Sequence, residues 1–580
     1  MAGTLDGILA SRRADGRDVT ALSMRLLSTS LPLLVGVVLA LPLAMLLANS
    51  FNVSAAGQPA RFGFANWQAA VADPSAVGAL WNSFALAIVR TAISLPIALV
   101  LTWLVARTDM PGRGLIELLA WLSIFVPILP LAFGWVLILD AKFGLLNALI
   151  SSITGSRTAV FDIYGFWGIT WVHLASTSVA YKVVLLAPAF RRIGASTEQA
   201  ARVCGATAWQ ALTRVTLPLL APSVLLVTVI SLVLSFESFE VELLLGAPVH
   251  LYVYSTRIYD LVNNQPSNVG EATAMAVVFL VWLLLLTWLY RRAIGGRSYT
   301  TVTGRDYASR PILLGRWGWV ALGMCLIYFT LAIAAPLAML VAGSFMRLYG
   351  FFNVPNPYTV VHWQELFADP AFRSGAANSL IVATTASLVT IVVYSMLAYA
   401  VTRYRSPVLR AVDMLAWSPW AVPGVLMSLA LLWLFLATPL RSVLYGSVAG
   451  LAAAFVFRAA PISTQFFKTS LMQIGPEVEE VARTCGAAWL RMYLRVVVPM
   501  LAPTAVTVGL ITFLSAIYDI STPVLLYSAS SRPLSILMLE YGFAGARERG
   551  AAIGVLLTIV VLLILLASRR FGYRLSRERL

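Results

Sequence analysis

EEVARTCGAAWLRMYLRVVVPMLAP, from Glu479 to Pro503, repeats an earlier stretch, EQAARVCGATAWQALTRVTLPLLAP, from Glu198 to Pro222. In each copy a glycine (Gly205, Gly486) is followed thirteen residues later by a proline (Pro218, Pro499), with valine ten residues after the glycine and arginine three before it. One polar device has been installed twice between strongly apolar segments. A pattern that holds several positions over 25 residues and occurs twice carries far more information than a lone Gly or Pro.

The surrounding chain is built for a membrane: 60% of its 580 residues are hydrophobic, 11% are charged, and the mean hydropathy is +0.85. Runs of about 20 apolar residues cross a bilayer as helices. Twelve such runs are legible, at 26–48, 79–106, 115–139, 166–190, 219–241 and 272–290 in the first half, and at 317–345, 377–402, 409–437, 448–467, 500–526 and 551–567 in the second. Long unbroken runs without strict alternation predict helices rather than barrel strands. The expected fold is an all-α membrane protein.

Basic residues orient these helices, because Lys and Arg collect on the cytoplasmic side. Segments on the side of the N-terminus carry 27 of them against 10 on the other side, which puts both termini and both repeated loops in the cytoplasm. The net charge of +16 is thus topology, and not the gathered basic face that nucleic acid requires. The first span is too long and too far from the N-terminus for a cleaved signal peptide and is expected to remain as a helix. Three cysteines give no disulfide framework, and three histidines make a metal cluster an unpromising expectation.

The duplication extends beyond the loops. Trp67-Gln68, Asp73-Pro74 and Asn82-Ser83 recur 296 residues later as Trp363-Gln364, Asp369-Pro370 and Asn378-Ser379, and the LAW at 119–121 recurs at 415–417. At the polar loops the offset becomes 281. Two six-helix repeats that begin on the same side of the membrane form a parallel repeat, unlike the inverted repeats of many gradient-driven carriers. The resulting division is a cytoplasmic tail 1–25, transmembrane domains 26–290 and 317–567, a cytoplasmic linker 291–316 and a cytoplasmic tail 568–580.

Local chemistry predicts a short helix at the start of each loop. Ser196 and Gln199 have the spacing of a capping box, while Pro476 precedes Glu477, Glu479 and Glu480, carboxylates that favour the positive end of a helix dipole. Small residues around Gly205 and Gly486 let another protein approach the backbone, and Pro218 and Pro499 are expected to mark the turn into the next membrane helix. The alternative is an amphipathic interfacial connector.

The spacing of these loops resembles the EAA loop of ABC importer permeases, and the resemblance covers essentially the whole chain as a fused pair of type I importer domains. It implies that two copies of a cytoplasmic ABC ATPase, using ATP and Mg, dock on the loops, and that a periplasmic binding protein delivers cargo to this multi-pass protein of the bacterial inner membrane. The coupling residues it implies are Glu198, Gln199, Ala200, Ala201 and Gly205 in the first copy, with Glu479, Glu480, Ala482 and Gly486 in the second. The first copy departs from the motif: Gln199 stands where a glutamate is usual, with an acid one position earlier. Within the family the run from Asp519 to Tyr527 and the LAW-to-VP segments look most like the ferric-iron permease group, with thiamine, polyamine and aminoethylphosphonate groups related.

The chain has no ATP site of its own, since a P-loop needs a lysine after a glycine and none of Lys142, Lys182 and Lys468 follows one. No nucleophile and base constellation is visible either, so no enzymatic chemistry is expected. The candidate substrate path or external gate is Glu237 and Glu240, which at a spacing of three share a helix face, with Ser515, Tyr518 and Asp519 in the second half. This acidic rim suits a cationic cargo, a salt bridge to a docked binding protein, or simply the membrane boundary. Arg410 and Lys182 lie near enough to span ends to snorkel, whereas Arg90 and Arg458 should face a cavity or a carboxylate. Pro127, Pro130, Pro419 and Pro423 should kink the third helices. The rival mechanism is a transporter driven by an ion gradient.

Overall fold

The computed structural model describes residues 30–577 apart from 55–57, 156–157, 193–200, 202, 208–209, 211, 295–310, 353, 421 and 440. The tail 1–25, most of the linker, the Ser196 capping box, and Glu198, Gln199 and Ala200 therefore lie outside the described residues. What is described is helical, with no more than isolated β-bridges beside the helices. Eight described helices are long and apolar enough to cross a membrane, three bent pairs raise the number to eleven, and the sixth expected span falls in the helix Val269–Ile294.

The sequence repeat reappears as a repeat of elements. Helices Ala65–Ala72 and Pro74–Arg107 return 296 residues later as Val361–Ala368 and Pro370–Arg403. A π-helical turn Leu212–Thr216 leading into Leu217–Glu237 returns 281 residues later as Tyr493–Val497 leading into Val498–Tyr518. The 34-residue helices start at the same point for the same reason: Asp73 accepts from the Ser75 amide at 3.0 Å and Asp369 from the Ala371 amide at 2.8 Å, each ahead of a proline whose fixed φ suits a first helical turn.

Several expected spans are corrected. The third run, 115–139, is two helices, Arg113–Phe125 and Ile128–Leu139, bent by 100°, and a break at the matching place separates Pro407–Leu415 from Gly424–Ala437. Pro127 and Pro423 sit at these breaks, where a proline denies the helix an N–H and pushes the preceding residue out of the helical region; Val126 has ψ 124°. The fifth runs stop early, at Glu237 and Tyr518, and the last helix runs on through Arg577. Pro218 and Pro499 mark no turn. Each is the second residue of a helix entered through the π-turn, which holds the carbonyl four residues back that a proline cannot bond.

The chain forms two compact units, and neither is a contiguous half. One comprises 50–372 and 535–563; in it the helices Trp317–Phe329 and Ala335–Phe345, the first of the second half, pack into the first half's core, with Cys325 and Phe329 against Ala98, Leu101 and Val183. The other comprises, among the described residues, 30–49, 373–534 and 564–577; there Gly36 of the helix Leu31–Ser50 lies against Val412. A Cβ on Gly134 would lie 1.9 Å from the Pro336 carbonyl oxygen, so the absent side chain lets helix Ile128–Leu139 touch the backbone of Ala335–Phe345.

Gly134→Leu is expected to abolish recovery of monodisperse protein from membranes, while Gly78→Leu, at a site with nothing within 4 Å, leaves it unchanged. Size-exclusion chromatography of the two variants in detergent checks this.

Candidate functional site: the repeated loops and the ion pairs at the far helix ends

The second loop begins with the helix Glu477–Thr484, which presents two faces. Glu480 is exposed, as are Val478, Val481 and Leu490, whereas Glu479 is only 4% exposed. Its carboxylate accepts from the Arg403 Nε at 2.6 Å and the Tyr399 hydroxyl at 2.7 Å, both on the helix Pro370–Arg403. Of the two acids expected to serve one coupling surface, one is turned inward and one outward.

Gly486 ends this helix at φ +81°. Its amide bonds the Arg483 carbonyl at 2.9 Å and the Ala487 amide bonds the Ala482 carbonyl at 3.1 Å, the two closures of a Schellman cap. In the first copy Gly205 has φ +86° and the Ala206 amide bonds the Ala201 carbonyl at 3.0 Å. Nothing lies within 4 Å of a Cβ placed on either glycine. The repeated glycine is therefore demanded by the left-handed backbone, where a side chain costs about 1 kcal/mol or more, in addition to the open approach it leaves. Cys204 and Cys485, one residue before each glycine, are free and exposed.

At the other end of the fifth helix of each half, structure and sequence reading part. Glu237 and Glu240 share no continuous helix face, because Leu217–Glu237 ends there and Glu240–Gly246 begins after a break at Ser238-Phe239. Arg90 sits at the break: its Nη2 donates to the Ser235 carbonyl at 2.7 Å, which the helix end leaves open, and to the Ser238 hydroxyl at 3.0 Å. Its Nη1 meets Glu242 at 3.0 Å, and the same Oε1 takes Ser238 Oγ at 2.6 Å and lies 3.0 Å from His173 Nε2. Arg90 and Glu242 are 2% and 1% exposed.

Sequence reasoning missed Glu242. The signal was the buried arginine, which needs a buried acid. In the second half Asp519 follows the end of the helix Val498–Tyr518, 7% exposed and 3.7 Å from Arg458 Nε. It accepts from the Ser521 amide and hydroxyl at 3.1 and 2.8 Å and from the Thr522 hydroxyl, which also takes Arg458 Nη1 at 3.2 Å. Arg90 and Arg458 thus both have carboxylates. Lys182 does not snorkel: it is fully buried, donating to the Ser178 carbonyl at 2.8 Å and the Tyr181 hydroxyl at 3.0 Å. Ser515 and Tyr518 are half-buried on Val498–Tyr518, as are Glu237 and Glu240 at their break.

The repeated Asn-Ser pair anchors the segment after each break. Asn82 Nδ2 donates to the Tyr252 carbonyl at 3.0 Å and Ser83 Oγ accepts from the Tyr254 amide at 2.8 Å. Asn378 donates to the Ser530 carbonyl at 2.9 Å and Ser379 accepts from the Leu534 amide at 2.8 Å.

These elements, long helix, polar loop and anchored far segment, occur once in each half, and comparison with known proteins finds the same division. A sequence profile for the binding-protein-dependent transport system inner membrane component family matches residues 92–295 and again 391–579. The chain belongs to this family. It is a multi-pass permease of the binding-protein-dependent ABC importer type, and the all-α reading stands. A probable ABC transporter permease protein, y4fN, of Sinorhizobium fredii is 26% identical over 86% of this chain and 88% of its own length. The ferric transport system permease protein FbpB of Actinobacillus pleuropneumoniae is 24% identical over 83% of this chain and 68% of its own. The sulfate transport system permease protein CysT of Escherichia coli is 29% identical over 45% of this chain and 88% of its own. Among solved structures, a bacterial ABC transporter involved in the import of the acidic polysaccharide alginate matches 45% of this permease and 96% of its own chain at 19% identity, with a TM-score of 0.37.

Breaking one partner of a buried pair leaves an uncompensated charge and costs about 3–5 kcal/mol, whereas replacing both with apolar groups costs less. Arg90→Met is therefore expected to lower the permease's melting temperature in detergent more than the double substitution Arg90→Met with Glu242→Leu.

Proposed function

We propose that this permease is the membrane subunit of an ATP-driven importer, coupled to two copies of a separate ABC ATPase through its two repeated loops. The observation that carries the reading is the repeated device itself: a loop with a left-handed glycine, followed by a π-turn into the fifth helix, once per half in a family named for binding-protein-dependent transport. Glu480 and the open backbone at Gly205 and Gly486 form the docking surface, with Glu198, Gln199, Ala200, Ala201 and Ala482 completing the two copies. ATP and Mg act at the partner ATPase, and this chain contributes no hydrolytic site. The excess of Lys and Arg on one side supports a cytoplasmic position for both loops and both termini in a bacterial cell.

Cargo arrives from a periplasmic binding protein, and its passage is gated where the fifth helices end, at Glu237, Glu240, Ser515, Tyr518 and Asp519. Two half-buried acids at the point where the first half's fifth helix stops, Glu237 and Glu240, and relatives named as ferric permeases favour ferric iron. Closure of the ATPase dimer on ATP drives the loops together and opens the path outward; hydrolysis resets it and releases cargo inward.

The chain purified from its membranes under ATP-trapping conditions is expected to bring down two P-loop ATPases per copy. Glu480→Lys, a change at an exposed position that leaves the fold alone, is expected to cut ATPase recovery and binding-protein-stimulated hydrolysis at least tenfold. A chain that comes through alone and still transports would replace this reading with gradient-driven transport.

A further inference from the structure

Beyond the docking surface, the structure shows what the second loop is fastened to. Three residues of the helix Pro370–Arg403, at a spacing of four, lie along one stripe and hold the loop. Ser395 Oγ accepts from the Tyr493 hydroxyl at 3.0 Å, Tyr399 donates to Glu479 at 2.7 Å, and Arg403 holds Glu479 at 2.6 Å while its Nη2 donates to the Ile474 carbonyl at 2.9 Å. Trp489, 4% exposed, stacks on Tyr493 at 5.3 Å, and the Tyr399 ring meets both edge-on. Both limbs of the loop are therefore tied to one end of one helix. The other end of that helix carries Asn378 and Ser379, which hold the backbone of residues 530–534. At 1.5 Å per residue the stretch of helix from Asn378 to Arg403 puts about 37 Å between the two attachments.

We propose that Glu479, held by Arg403 and Tyr399, is the positioning joint through which the second loop drives the helix Pro370–Arg403 as a rod, moving the segment 530–534 at the far face of the membrane. This rests on the coupling role proposed above. A buried carboxylate that takes a guanidinium and a phenol leaves the loop little freedom to shift without its helix, whereas an exposed ion pair is soft. The chain repeats the charges: counting back 296 residues from Arg403 gives Arg107, and counting back 281 from Glu479 gives Glu198. Glu480, by contrast, meets the partner. Adjacent acids thus divide the work, one facing out to receive the movement and one facing in to pass it on.

The test uses the full complex with its ATPases in proteoliposomes. Cys204, Cys325 and Cys485 are replaced by serine, and Ala529→Cys, at an exposed position beside the held segment, is labelled with a membrane-impermeant maleimide before and after trapping with ATP and vanadate. In the parent, trapping should change the labelling rate about fivefold or more, the lower range of measured couplings between sites. Glu479→Ala and Arg403→Met should keep the ATPases bound and hydrolysing ATP while that change disappears, and Tyr399→Phe should retain part of it. An undiminished change in Glu479→Ala with its ATPases bound would overturn the joint and leave the coupling loop intact. If Glu479→Ala does not accumulate, Tyr399→Phe and Arg403→Lys decide by the same readout, a full response in both counting against the joint. A parent that binds no ATPase would overturn both readings.

Discussion

Inside a bilayer no water is at hand to solvate a charge or to bond an open peptide group, and the arrangement of this permease follows from that constraint. Where the fifth helices stop short, at Glu237 and Tyr518, side chains take over the backbone's bonding. The best developed case is Arg90, which uses one guanidinium to close the open carbonyl of Ser235 and to neutralise Glu242. Arg458 and Asp519 meet the same need at the matching helix end, with Thr522 and Ser521 supplying the remaining bonds. The two halves use different helices for the cation, so what the duplication preserved is the requirement and not the pair of positions.

The same constraint explains the Asn-Ser pair. A non-helical segment returning toward the membrane exposes amides and carbonyls, and Asn82, Ser83, Asn378 and Ser379 satisfy them from helices that begin at identical Asp-Pro caps. Packing between helices is then free to follow shape. Gly134 against Pro336 shows how close the backbones come, and the first helix of each half ends up in a unit built largely from the other half's residues. A domain boundary drawn from the repeat describes ancestry, while the compact units describe contact.

Much of this was legible in the residues alone. Apolar run length located the membrane helices, and the doubled Gly-to-Pro spacing located the loops, whose helix at Glu477–Thr484 follows from Pro476 and three acids in its first turn. Less legible were the ends. The runs 219–241 and 500–526 reach past the points where the helices stop at Glu237 and Tyr518, because scattered apolar residues such as Phe239, Val241 and Val524 keep the average hydropathy up whether or not the backbone is helical. Proline positions marked the third runs as irregular but carried no information on whether the result would be a kink or a 100° break.

The sequence by itself determined the class: an all-α membrane protein made of two parallel repeats with a polar loop in each, since hydrophobic length and spacing are local properties summed along the chain. Only the tertiary structure decided which acid does what. Glu479 and Glu480 are neighbours of one type, yet one is enclosed by Arg403 and Tyr399 from a helix some seventy residues earlier and the other faces outward. Likewise Glu242 rather than Glu240 meets Arg90. Burial and partnership depend on residues distant in the chain, and no local pattern records them.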